Sequence, residues 1–191
     1  MKFVKTLGLF ALVAASLMAF TASAPATTVT SPAGTAYTGE IFLMSEGHVV
    51  IHNPIAKIEC EALSTIPNIA KHGNAVTAEA TLESFLFFHC TNEWHVTTVS
   101  QGSIEIHHLT GTNHGTVTSS GMTIEATRFG VTCRYKTLNT DIGTLTGGIP
   151  ATFHLEGALP FHSGSPLCGA GTTKWTGSFN VTTPSKLFIS A

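Results

Sequence analysis

Lys174-Trp175-Thr176-Gly177-Ser178-Phe179-Asn180-Val181-Thr182 is the stretch that decides the fold. Trp175, Gly177, Phe179 and Val181 take every second position, and Thr176, Ser178, Asn180 and Thr182 fill the gaps. Successive side chains on a strand point to opposite faces, so this segment carries an apolar row on one face and a hydroxyl-rich row on the other. The same period recurs upstream. Ile104 and Ile106 alternate with Ser103, Glu105 and His107; Phe129, Val131, Cys133 and Tyr135 form another set, and Ala151, Phe153 and Leu155 a further one. Thr and Val, which suit a pleated surface, are abundant. Gly111-Thr112-Asn113-His114-Gly115 and Gly147-Gly148-Ile149-Pro150 punctuate the runs as turns. The expected fold is all-β: a β-sandwich or jelly-roll-like barrel of roughly 10–12 short strands. Only Glu61–Lys71 reads ambiguously, as a segment able to hold a short helical turn that Pro67 keeps from growing.

The pattern also repeats at larger scale. Gly47, Cys60, Cys90 and Trp94 in the first half are followed in the same order by Gly121, Cys133, Cys168 and Trp175 in the second. Ile58-Glu59-Cys60 and Val131-Thr132-Cys133 match in kind. This order predicts two duplicated halves, residues 35–110 and 111–191, sharing one core. Four cysteines allow three connectivities. If each half carries its own bridge, the pairs are Cys60–Cys90 and Cys133–Cys168.

The N-terminus reads as an export signal. Lys2 and Lys5 precede an apolar run from Leu7 to Phe20, and Ala22-Ser23-Ala24 and Ala24-Pro25-Ala26 fit the small-residue cleavage pattern. Residues 1–26 are therefore expected to be removed, leaving residues 27–191 as a single secreted β domain with no later membrane span. The whole chain has 9 Lys and Arg against 11 Asp and Glu. Without Lys2 and Lys5 the balance is 7 against 11. Charged residues make up 10% of the chain, against about 25% in ordinary soluble domains. With no basic cluster to neutralise phosphates, nucleic acid is not expected as a partner. Dispersed cysteines in an exported chain read as disulfides, and the absence of C-x-x-C disfavours a zinc knuckle or a thioredoxin-type site.

The chain resembles a group of secreted four-cysteine β-domain proteins of unknown function, found mostly in actinobacterial genomes. The resemblance rests on Ser31-Pro32-Ala33-Gly34-Thr35-Ala36-Tyr37-Thr38-Gly39, on the Leu145-Thr146-Gly147-Gly148 turn, and on Cys168 followed by Lys174 to Pro184. It implies export and a four-cysteine β domain, and it carries over no catalytic residue.

Histidine is the unusual polar residue, with 10 in the chain. Glu46 and His48, Glu93 and His95, Glu105 and His107, and His154 and Glu156 each lie two positions apart and so share a strand face. Imidazole and carboxylate suit zinc or copper, which makes His48, His52, Glu105, His107, His154 and Glu156 the metal candidates. The alternative is that they line a solvated sheet face, and no cofactor is expected. Trp94, Phe87 and Phe88 flank Cys90 and are the candidates for stacking on a ligand, unless they pack in the core. The motifs of an α/β-hydrolase elbow, a phosphate loop and a dinucleotide fingerprint are all missing. The expected function is that of a non-enzymatic cell-surface or extracellular-matrix protein, acting in adhesion, assembly or binding and able to self-associate. The alternatives are a carbohydrate- or lipid-binding module and a metal-dependent extracellular enzyme using the His/Glu pairs.

Overall fold

The computed structural model describes residues 26–32, 34–67, 69–71, 77–169 and 171–191. The export signal expected at residues 1–26 thus lies outside the described residues, Ala26 excepted. The described residues form sixteen strands and two single 3₁₀ turns. In chain order the strands are β1 (Thr28–Thr30), β2 (Ile41–Ser45), β3 (Val49–Asn53), β4 (Ala56–Ile66), β5 (Ile69–Lys71), β6 (Thr77–Thr81), β7 (Ser84–Phe88) and β8 (His95–Ser100). They continue with β9 (Ser103–His108), β10 (His114–Ser120), β11 (Thr123–Arg128), β12 (Val131–Lys136), β13 (Thr140–Thr146), β14 (Thr152–Gly164), β15 (Thr172–Thr183) and β16 (Phe188–Ser190).

The fold is all-β, as the alternation predicts. There are more strands than the expected 10–12 because long strands are broken by local bends. Gly47, Gly102 and Gly121, all at positive φ, separate β2 from β3, β8 from β9 and β10 from β11. Two strands separated by such a bend run on in the same direction and share the same neighbours, so each pair acts as one stave. Eight staves result: β2–β3, β4–β5, β6–β7, β8–β9, β10–β11, β12–β13, β14 and β15. Residues 61–66 belong to β4 and Ile69–Lys71 form β5, so this segment holds strand where a helical turn was expected: Ile58, Cys60, Ala62, Ser64 and Ile66 are buried at every second position, and Pro67 lies between β4 and β5.

Each stave pairs antiparallel with the next. Stave one meets stave two through Ile41↔Ile66 and Val49↔Cys60. Stave two meets stave three through Thr65↔Ser84 and Ile69↔Ala80. The order then runs through Ala78↔Ile106, Val117↔Ile106, Ala126↔Cys133, Leu145↔Phe153 and Phe153↔Phe179. Stave eight returns to stave one through Val181↔Leu43 and Trp175↔Ile51. The sheet therefore closes on itself as an up-and-down barrel, which removes most free strand edges. The last stave of each half pairs with the first stave of the other half, so neither half closes alone.

Inward residues form one continuous core through both halves. Trp175, Tyr135, Leu155 and Leu159 are fully buried, as are Cys60, Cys133 and Cys168. Disulfides join Cys60 to Cys90 and Cys133 to Cys168, one bridge in each half. Both lie toward the same barrel end, where the two 3₁₀ turns Thr91–Glu93 and Pro166–Cys168 connect staves three to four and seven to eight. The opposite end is crossed by a two-stranded ribbon, β1 with β16, that buries Val29, Leu187 and Ile189.

Phe129 departs from the expected pattern. It does not join Val131, Cys133 and Tyr135 on an inward row, because Phe129 and Gly130 are the two central residues of a tight hairpin turn with φ of 48° and 78°. Two positive φ values are the signature of the type I′ turn that matches strand twist. The side chain is left outside, 77% exposed.

Candidate functional site

The polar candidates sit on the outer face. His107 Nε2 lies 3.6 Å from Glu105 Oε2, and His154 Nε2 lies 3.7 Å from Glu156 Oε2. Each pair shares a face of one strand, as the i, i+2 spacing requires. The pairs do not meet. The register runs His107↔Thr116, Thr116↔Thr144 and Thr144↔His154, three strand spacings in all. That places the two histidines about 14 Å apart. His52 stands between two cations in register, Lys57 and Lys174. His48 lies near the Glu59 carboxylate, which Lys57 holds below its ordinary pKa, first by hydrogen bond and then by charge, with His48 adding to the effect. Among the described residues no three His, Cys, Asp or Glu side chains are grouped to hold a metal ion.

The aromatic candidates divide between the two faces. Trp94 is buried beside the Cys60–Cys90 bridge. Phe87 is half-buried against the core, its ring 5.0 Å from that of Phe85. Phe88 points outward and is 37% exposed, its ring edge-on to His89. No row of exposed aromatics in a cleft is formed by these three.

Inside the barrel, toward the ribbon, is an apolar cavity of about 40 Å³ bordered by all eight staves. Leu43, Ile66, Phe85, Ile106, Val117 and Phe179 are among the residues around it. Its one polar lining side chain, Ser64, donates to the Ser84 carbonyl at 3.2 Å. Pockets that take drug-sized ligands measure roughly 300–1,000 Å³, so this barrel is close to filled by its own side chains, as eight-stranded barrels of this type can be.

The feature that alternation did not reveal is on the outside of staves one to three. Met44↔Leu63 and Leu63↔Leu86 are register neighbours, so three apolar side chains form one row across three strands. Met44 and Leu86 are about half exposed, and Phe88 lies on the same face of β7. The signal was present in Ser84-Phe85-Leu86-Phe87-Phe88, an apolar run where a half-solvated strand would alternate.

No protein-family model, curated protein or solved structure matches this chain. Two disulfides fit an oxidising, extracellular-type compartment. Among the described residues no helix is long and apolar enough to cross a membrane.

Proposed function

We propose that this chain is a non-enzymatic extracellular protein that acts by surface contact, in adhesion or assembly at the cell surface or in the extracellular matrix. The observation that carries this reading is the outward apolar row Met44–Leu63–Leu86, with Phe88 beside it. Apolar side chains in register on an exposed sheet face lose free energy to water that a partner surface would recover, and such patches mark interaction sites. The nearly filled interior supports a role for the exterior. The distance between the His/Glu pairs gives the metal-dependent alternative no support, and the inward Trp94 and Phe87 give none to sugar stacking.

The test compares wild type with the combined Met44→Ser, Leu86→Ser and Phe88→Ser variant. Sedimentation velocity over a concentration series reads self-association, and adsorption to an alkyl-coated surface reads adhesion. Wild type is expected to associate or adsorb. The variant should do neither, with an unchanged near-ultraviolet circular dichroism spectrum. A wild-type chain that stays monomeric and leaves the surface bare overturns the reading.

A further inference from the structure

The apolar cavity lies beside a seam in the barrel wall. Ser64 and Phe85 both border the cavity and face each other in register on β4 and β7. The Phe85 ring is buried, 5.8 Å from that of Phe179, which borders the cavity as well. On its other side β7 forms no ladder with β8 among the described residues. The Phe85 carbonyl instead accepts from the Thr98 hydroxyl at 2.6 Å. Phe85 thus has its ring on the cavity and its backbone on the seam.

The cavity walls set what it can hold. A buried water needs two to four polar partners. The Ser64 hydroxyl already donates to the Ser84 carbonyl, and the other bordering side chains are Ile, Leu, Val, Met and Phe. Water would give up its hydrogen bonds on entering and regain at most one. Left empty, the space deprives its lining of dispersion contacts on that side. A guest without hydrogen-bonding groups restores those contacts and leaves bulk water favourably. The volume sets its size. The space is about 40 Å³, whereas an apolar cavity of about 150 Å³ takes benzene and a water's share of the liquid is about 30 Å³. One small apolar molecule fits, and a ring does not.

We infer that this cavity binds one small apolar molecule, of about the size of methane or a xenon atom, which enters past Phe85 through the seam between β7 and β8. The other ways in are held more firmly. Elsewhere the adjoining staves are joined by backbone ladders. The ribbon of β1 and β16 crosses one barrel end with Val29, Leu187 and Ile189 buried beneath it. A seam held by a side-chain bond is the kind of place that opens locally without global unfolding. The outward row Met44–Leu63–Leu86 takes no part, so surface contact and interior binding can fail separately.

The test uses the exported chain, both bridges formed and methyl groups labelled for NMR, under increasing xenon pressure. The methyl resonances of Ile106, Val117 and Leu145, which border the cavity, should shift and saturate. Those of Ile58 and Val96, buried away from its border, should not. Val117→Ile and Ser64→Val each add apolar volume to the wall and should abolish the saturable shift, with an unchanged near-ultraviolet circular dichroism spectrum. The two are made separately, so that strain in one leaves the other as the test. Thr98→Val should speed xenon exchange roughly fivefold at unchanged affinity, because it removes the bond that closes the seam. Thr144→Val, on a continuous ladder, should leave the exchange rate as it is. No saturable shift in wild type, equal shifts at Ile58 and Val96, or shifts that persist in both filled variants overturn the site. An exchange rate that Thr98→Val leaves unchanged, or that Thr144→Val raises as much, overturns the route.

Discussion

The two halves occupy equivalent arcs of the barrel, yet they hold their last two staves together by different means. In the second half, β14 and β15 pair without interruption from Thr152↔Asn180 to Pro160↔Thr172. In the first half, β6 pairs with β9, but β7 and β8 beyond the bend share no ladder among the described residues. There the Thr98 hydroxyl donates to the Phe85 carbonyl at 2.6 Å. The connections differ too. His89, Asn92 and Glu93 are all left-handed in the first half. In the second, glycines take the positive φ at Gly164 and Gly169, and the Ser165 hydroxyl accepts from Leu167 N–H. One position in a barrel can thus be held by a continuous backbone ladder or by one side-chain bond next to a disulfide. The second arrangement leaves a seam.

The largest expected effect separates the two tryptophans. Trp175 is fully buried and sits on a strand paired on both sides, so Trp175→Ala should cost about 3–5 kcal/mol. Trp94 lies outside the ladders, and Trp94→Ala should cost clearly less in denaturant melts. Equal costs would break the claim that the second half is tied more firmly. The disulfides come next. Their separations are 30 and 35 residues, and on the chain-entropy argument each removal costs about 3–4 kcal/mol. Cys60→Ala with Cys90→Ala and Cys133→Ala with Cys168→Ala should therefore melt alike. Only the first pair should speed amide exchange in β7 and β8. If the second pair does so as well, the seam is not a local property.

Smaller changes sharpen the comparison further. Thr98→Val keeps the shape and removes the seam hydroxyl, and should cost about 1 kcal/mol. Thr144→Val, on a continuous ladder, should be near neutral. His89→Gly relieves a left-handed residue whose side chain is exposed and reaches only Glu61 among its ion pairs. Stability should rise by about 0.5–1 kcal/mol, the steric relief being offset in part by the freedom of glycine in the unfolded chain. A fall in melting temperature for His89→Gly would show that the connection is not strained.

Phe129 and Leu63 show where alternation stops being a guide. Alternation gives the right face for Cys133 and Tyr135, and fails at Phe129 because the turn begins there. A period of two cannot say where a strand ends. Leu63 fits the strand period of β4 but faces outward with Met44 and Leu86, a grouping set by pairing between strands. The His/Glu pairs are similar. The sequence shows that His107 and Glu105 share a face, and His154 and Glu156 share another. How many strands lie between them depends on the order of strands in the sheet.

The sequence by itself determined the all-β class and which residues of Lys174–Thr182 face inward, and the parallel order of cysteines in its two halves pointed to the pairing that the structure shows. These are local properties, read from side-chain alternation and spacing along the chain. Closure of eight staves into one barrel was decided only in three dimensions, as were the exposed row on staves one to three and the apolar cavity that all eight staves border. The reason is that strand registers are non-local. Val181 pairs with Leu43 across most of the chain, and a slip of one residue in such a pairing would turn every side chain of the strand to the other face.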